Sequence, residues 1–243
     1  MWLKSKSLNL FAALTATVLV LSALDASNSV FAATFTPATF VEGKRSLKNL
    51  LDFPKIDGDV SVTVTCTSIG TANGRIREAK CSAANDPSQK FAIAVNRRAK
   101  SARINPATVD GRKEKVDFQF TVVFSRTAGE ESIDVYVNNQ KNTDRFGPDY
   151  ISAQRYSPYE LPDVCKERRL SFLILEVAVV TADGAVKESD LHVDSVGIPN
   201  TCEVQLREIT KSSRFIPAFY EGSPVESVWV NPWIATATDF RGI

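Results

Sequence analysis

From Asp59 the chain alternates. Val60, Val62 and Val64 fall on one side and Ser61, Thr63 and Thr65 on the other, the period of a half-buried strand. A turn region from Ile69 to Gly74, with Thr71-Ala72-Asn73-Gly74 in its middle, returns the chain through Arg75 to Ser82 and predicts a hairpin. Asp86-Pro87-Ser88 then supplies helix-start chemistry, an acceptor side chain followed by a proline in the first turn. Phe91, Ala94 or Val95, the Arg98 stem and Ala102 recur at helical spacing and give one apolar stripe for the valine face. Val116, Phe118, Phe120, Val122 and Phe124 predict a third strand. After Ala128-Gly129-Glu130, alternation at Ile133, Val135 and Val137 predicts a fourth over Ser132 to Asn138, covering the edge of the third.

The order repeats in the second half. Leu170 to Thr181 is more continuously apolar than its counterpart, which predicts a strand covered on both faces. Asp183-Gly184 turns it and Val186 to Val193 returns. Gly197 to Thr201 opens a helix whose expected buried stripe is Cys202, Leu206 and Ile209. Val225 to Val230 is the closing strand, and Pro232 interrupts main-chain donation just beyond it.

The closing stretches share a layout. Arg103 to Val122 and Arg214 to Val230 each run from an Arg through an apolar residue, a Pro-Ala pair and an acid-Gly turn into an alternating strand. Proline cannot continue a helix and glycine takes positive φ readily, so both copies punctuate the chain in the same way. The expected fold class is α+β: two ββαβ units, each a small antiparallel sheet with a helix on one face. The boundaries are a signal peptide over 1–32, an N-terminal arm over 33–52, a first unit over 53–138, a connector over 139–167 and a second unit over 168–243. The connector carries Phe146, Tyr150, Tyr156 and Tyr159 and reads as packed on the units, since large aromatic side chains anchor long loops, with an exposed aromatic binding surface as the alternative.

The N-terminus changes the picture more than composition does. Lys4 and Lys6 precede an apolar run from Leu8 to Leu24, and Val30-Phe31-Ala32 offers a signal-peptidase site, so cleavage is expected after Ala32. The competing reading is a retained membrane anchor. Of 29 basic and 28 acidic residues, removal of 1–32 takes Lys4, Lys6 and Asp25 and leaves 27 of each. Neutrality argues against a general nucleic-acid partner, and the local run Arg97, Arg98, Lys100 and Arg103 reads as a solvated helix end. Four cysteines in an exported chain predict two disulfides. Cys66 and Cys81 lie at nearly equal distances from the Asn73-Gly74 turn, which favours their pairing across the hairpin and leaves Cys165 for Cys202. Each bridge contributes about 3 kcal/mol by restricting the unfolded chain.

Candidate chemistry is sparse. No metal site is expected, because CxxC is absent and the single histidine, His192, lacks ligand-spaced partners. The chain contains no GxSxG, HExxH, P-loop or GxGxxG motif. Asp190, His192 and Asp194 share one face of a strand without a nucleophile nearby in sequence, so His192 reads as a surface residue; no cofactor and no catalytic residue is expected, and an unrecognised enzyme is the minor alternative. Trp229 and Trp233, in or beside the last strand, read as packing beneath the helix or as a shelf beside an incoming peptide.

The succession of motifs resembles the C-terminal domain of TonB, the energy-transducing protein of Gram-negative envelopes. In the second copy the resemblance rests on the Asp183-Gly184 turn, Ser195-Val196-Gly197-Ile198-Pro199, a helix, Phe215-Ile216-Pro217-Ala218 and Gly222-Ser223-Pro224-Val225. In the first it rests on Gly58 to Val62, Gly74-Arg75-Ile76, Ile104 to Ala107 and Gly111, with Lys113 in place of the proline. The resemblance implies a three-stranded antiparallel sheet with a helix on one face. It also implies capture of an extended peptide, as of an outer-membrane transporter, by strand addition. Carried to this chain, the edge is Val225, Ser227, Val228, Trp229 and Val230, the first copy's edge being occupied by Ser132 to Asn138. With residues 1–32 removed, the expectation is a periplasmic or secreted protein that binds or scaffolds envelope protein segments without a membrane span. With that segment retained, it is an anchored transducer.

Overall fold

The computed structural model describes residues 33–86, 88–156, 159–166, 172–194 and 199–235, with the side chains of 166, 172, 194, 234 and 235 set aside. Residues 1–32, expected to be a signal peptide, together with Leu170 and Ser195 to Ile198, lie outside the described residues. The class is α+β.

The first sheet contains β1 (Val60–Gly70), β2 (Ile76–Ser82), β3 (Val116–Thr127) and β4 (Glu130–Tyr136) in the antiparallel order β2-β1-β3-β4. Its inner face presents Val62, Val64 and Cys66 from β1 and Phe118, Phe120, Val122 and Phe124 from β3, all buried. Helix α1 (Lys90–Ala99) covers that face with Phe91, Ala92, Val95 and Ala99. Arg98, expected to lay its stem on the stripe, instead points outward and pairs with Asp52 at 2.6 Å. Asp86 supplies an acceptor near the helix start, its carboxylate accepting the Phe91 N–H at 2.8 Å and the Ser88 hydroxyl at 2.8 Å, but the helix begins only at Lys90, and Pro87, expected in its first turn, lies outside the described residues. The β3–β4 connection is a two-residue turn in which Ala128 and Gly129 both have positive φ (52° and 84°), the hand that matches strand twist. Strand β4 thereby covers the β3 edge, with Val122 opposite Val135.

The N-terminal arm is woven into this half. Phe35-Thr36 pairs with Thr108-Val109, and Thr39-Phe40 pairs with Ile104-Asn105. Leu47 and Leu51 are buried in the same core.

The second sheet contains β5 (Phe172–Val180), β6 (Val186–Asp194) and β7 (Ser227–Ala235) in the antiparallel order β6-β5-β7. Helix α2 (Asn200–Ser212) buries Cys202, Leu206 and Thr210. The expected Ile209 is only half-buried, because spacing by four carries the stripe to Thr210. Strand β5 is not covered on both faces: Ile174, Glu176, Ala178 and Val180 are buried, whereas Leu173, Leu175, Val177 and Val179 on the other face are only partly so.

Two local arrangements recur. Thr71-Ala72-Asn73-Gly74 and Thr181-Ala182-Asp183-Gly184 form matching turns, in which the Gly74 carbonyl accepts Ile104 N–H (3.1 Å) and the Gly184 carbonyl accepts Phe215 N–H (3.0 Å). A Cβ at either glycine would run into the carbonyl of that same partner, so the close approach requires glycine. The acid-Gly pairs, Asp110-Gly111 and Glu221-Gly222, each have two positive φ values and close miniature hairpins ahead of β3 and β7.

The connector is interleaved rather than laid on top. Gln154-Arg155 pairs with Phe215-Ile216, Tyr156 bridges to Val116, and Ile151 bridges to Phe219. Ile216 completes the first half's core while Phe215 packs with Tyr150, Ala178 and Trp229. The described residues accordingly form one compact unit. The disulfides join Cys66 to Cys81, directly opposed on β1 and β2, and Cys165 to Cys202, which ties the connector to α2.

Candidate functional site

Strand β7 carries four of the sequence-predicted binding residues, Ser227 to Val230, and Val225 lies just before it. Ser227 and Trp229 are buried, and Trp229 packs its ring on Phe215 and under the Arg155 guanidinium rather than beneath α2. Val228 is 37% exposed, and Val225 closes the miniature hairpin opposite Ala218. Val230 is half-buried. The outer edge of β7 is not free at these positions. Asn142 treats Val228 as a strand partner would, accepting its N–H at 3.2 Å and donating to its carbonyl at 2.9 Å. Gln119 and Asn139 donate to the Val230 carbonyl at 2.8 and 3.3 Å. Beyond them Pro232 has no N–H to offer. An added strand would have to displace three side-chain amides, and this differs from the expectation of an open edge. Sequence reading missed it because Gln119 lies on β3 and the two asparagines in the connector, far from β7 in sequence.

The opposite flank of β7 borders a polar cluster built from β3, the connector, β5, α2 and β7 itself. Glu176, at the middle of β5, is 0% exposed. Its Oε1 accepts hydrogen bonds from Thr210 (2.7 Å) and the Tyr159 hydroxyl, and its Oε2 from Asn231 (3.0 Å) and the Trp233 indole N–H (2.6 Å). Arg155 from the connector lies 3.5 Å from Oε2 through Nη1 and donates Nε–H to Asp117 Oδ2 of β3 at 2.7 Å. Its guanidinium lies over the rings of Tyr159 (4.3 Å) and Trp229 (4.7 Å). Burial works against the Arg155 charge, but Asp117 and Glu176 outweigh it and hold the guanidinium protonated. Burial and the Glu176 carboxylate push the Tyr159 phenol up, so it stays a donor. Burial, opposed by Arg155, raises the Asp117 carboxyl above the ordinary aspartate value.

Above this cluster opens a cleft of about 430 Å³. One wall is the outer face of the first sheet, with Thr67, Ile69 and Asp117; the other is Tyr159, Leu161, Pro232 and Trp233. Tyr159 and Trp233 stand as a tilted pair with centroids 5.7 Å apart. A bulge in β2 shapes the mouth. Between Thr67↔Lys80 and Ile69↔Arg77 the second strand carries one extra residue, and Glu78 takes a φ of 53° there. The extra residue lets Ile76 and Ala79 both reach the core despite their odd spacing, while Glu78 and Lys80 line the cleft.

The histidine face offers less. His192 is exposed, with Nε2 3.7 Å from Asp190, whose carboxylate is held at 3.0 Å by Arg207. That arginine bond and the Leu191 N–H lower the Asp190 carboxyl. The Asp194 side chain is outside the described residues. No group of three or more potential metal ligands occurs among the described residues. No helix among them is long and apolar enough to cross a membrane. All four cysteines are bridged, which takes them out of thiol chemistry.

Comparison of the chain with protein-family models, with curated proteins and with solved structures returned no match.

Proposed function

We propose that the chain is an exported binding or scaffold protein that captures an extended polypeptide segment of an envelope partner, and that the segment enters the cleft between the first sheet and the Tyr159–Trp233 wall. The observation that carries this reading is the cleft itself. It combines an aromatic and apolar wall (Tyr159, Trp233, Leu161, Pro232) with polar groups on the facing sheet, the mixture that fixes a bound chain by burial and orients it by a few hydrogen bonds. The two disulfides fit an oxidising compartment, and cleavage after Ala32 is part of the proposal.

Each half reads as a divergent ββαβ unit similar to the TonB C-terminal domain. The matching Thr-Ala-x-Gly turns docked on Ile104 and Phe215, and the matching acid-Gly hairpins, support that reading. Strand addition at Val225 to Val230 is the less favoured mode, since the chain's own amides occupy that edge.

Panning the purified protein against a random peptide library tests the reading. Recovered peptides should bind the Trp233→Ala variant at least roughly tenfold more weakly, the loss expected when a central aromatic contact is removed. Val228→Ser should leave binding unchanged. Loss of binding with Val228→Ser and not with Trp233→Ala would move the site back to the strand edge.

A further inference from the structure

Among the described residues, the charged side chains that line the cleft are Glu78, Asp117 and Glu160 against Lys80, three acids and one base. Glu78 and Glu160 are exposed at the rim. Asp117 is different, being 9% exposed on the cleft wall with only one oxygen, Oδ2, bonded to Arg155. Among the described residues its Oδ1 takes no hydrogen bond from the chain. The charge behind it is also unbalanced. Arg155 serves both Asp117 and Glu176, so among the described residues two carboxylates share one guanidinium, with the exposed Lys115 as the further cation acting on Asp117. A buried carboxylate with an open acceptor and surplus negative charge behind it is stabilised by a donor that brings positive charge. The rings of Tyr159 and Trp233 add to this, because aromatic faces attract cations.

We infer that the cleft recognises a cationic group, the guanidinium or ammonium of a basic side chain, which passes between the acidic rim and the aromatic wall to meet Asp117 Oδ1. The inference rests on the cleft being the binding site. It adds the chemical class of the anchor: a segment with a lysine or arginine is held, and its neutral counterpart is not. Affinity should fall with added salt, because the rim acids Glu78 and Glu160 are open to solvent and screened.

The test uses two short capped peptides of identical sequence, one with a central arginine and the other with citrulline, an uncharged residue of the same shape. Each is titrated into the full chain while the Trp233 indole and Thr67 amide NMR signals are followed. The arginine peptide should shift both signals and bind roughly tenfold more tightly than the citrulline peptide, the difference of one charge-assisted bond. A lysine peptide tests whether the charge alone suffices. Asp117→Asn should remove the preference; since that residue is buried, the exposed pair Glu78→Gln and Glu160→Gln gives a second measure and should weaken the arginine peptide several-fold. Equal binding of the two peptides with shifts at Trp233 and Thr67 would overturn the cationic anchor while leaving the cleft as the site. Binding that leaves both signals unmoved, or no binding of either peptide at millimolar concentration, would overturn the anchor and the cleft together.

Discussion

A glutamate at the centre of an apolar strand is tolerated only when its charge is met on every side, and at Glu176 Tyr159, Thr210, Asn231, Trp233 and Arg155 do so. Removing one partner from such a set strands the others, at a cost of about 3–5 kcal/mol. Asp117 has a looser arrangement and a measurable signature. Burial, with Glu176 adding to it and Arg155 opposing it, raises its carboxyl above the ordinary value. The folded chain therefore holds this proton at pH values where the unfolded chain has lost it. Its contribution to stability is fully present below the unfolded pKa and is lost as pH rises through the raised folded value. Asp117→Asn should remove that decline: urea unfolding from acid to neutral pH should show the wild type losing stability relative to the variant across this window. A constant difference would mean that Asp117 does not titrate differently in the two states. None of this was legible in the sequence. Asp117 alternates with phenylalanines as a surface position of a strand should, and the residues that bury it come from the connector and the second half.

At the scale of elements, apolar periodicity located the four strands of the first half and both long helices, and the spacing of Cys66 and Cys81 about the Asn73-Gly74 turn gave the disulfide pairing. Periodicity failed where polar side chains decide the outcome. Thr210 rather than Ile209 completes the α2 stripe because its hydroxyl reaches Glu176, and Arg98 leaves its stripe for Asp52. The edge of β7 failed for a related reason: its partners are single amides, not a strand, so no alternation announces them. The device recurs at Gln154, whose amide donates to the Ala38 carbonyl at 2.9 Å and accepts the Ala38 N–H at 2.8 Å. Such two-point caps satisfy an edge while denying it to another chain. Asn142→Ala should lower stability by about 1 kcal/mol, the net worth of the lost bonds. It should also speed hydrogen exchange at the Val228 amide, which faces away from β5, with little change at the β7 amides that face β5. Unchanged exchange at Val228 would mean that another group protects that edge.

For the whole molecule, the layout of the repeat was visible in sequence because glycine and proline punctuate both copies alike. The way the halves join was not. The connector pairs with Phe215-Ile216, bridges to β3 and supplies Arg155 to carboxylates from both halves. The cleft exists because of this junction. One wall is the outer face of the first sheet and the other is the connector with the far end of β7, so neither half alone has it. This junction, not the strand edge, is where the chain presents a shaped and chemically mixed surface. The most direct test is a backbone and indole NMR map of the protein with a peptide recovered from the library. Binding in the cleft should shift signals at Thr67, Glu78, Lys80, Asn231 and the Trp233 indole. Shifts centred on Val228 and Val230, with the cleft residues unmoved, would contradict it.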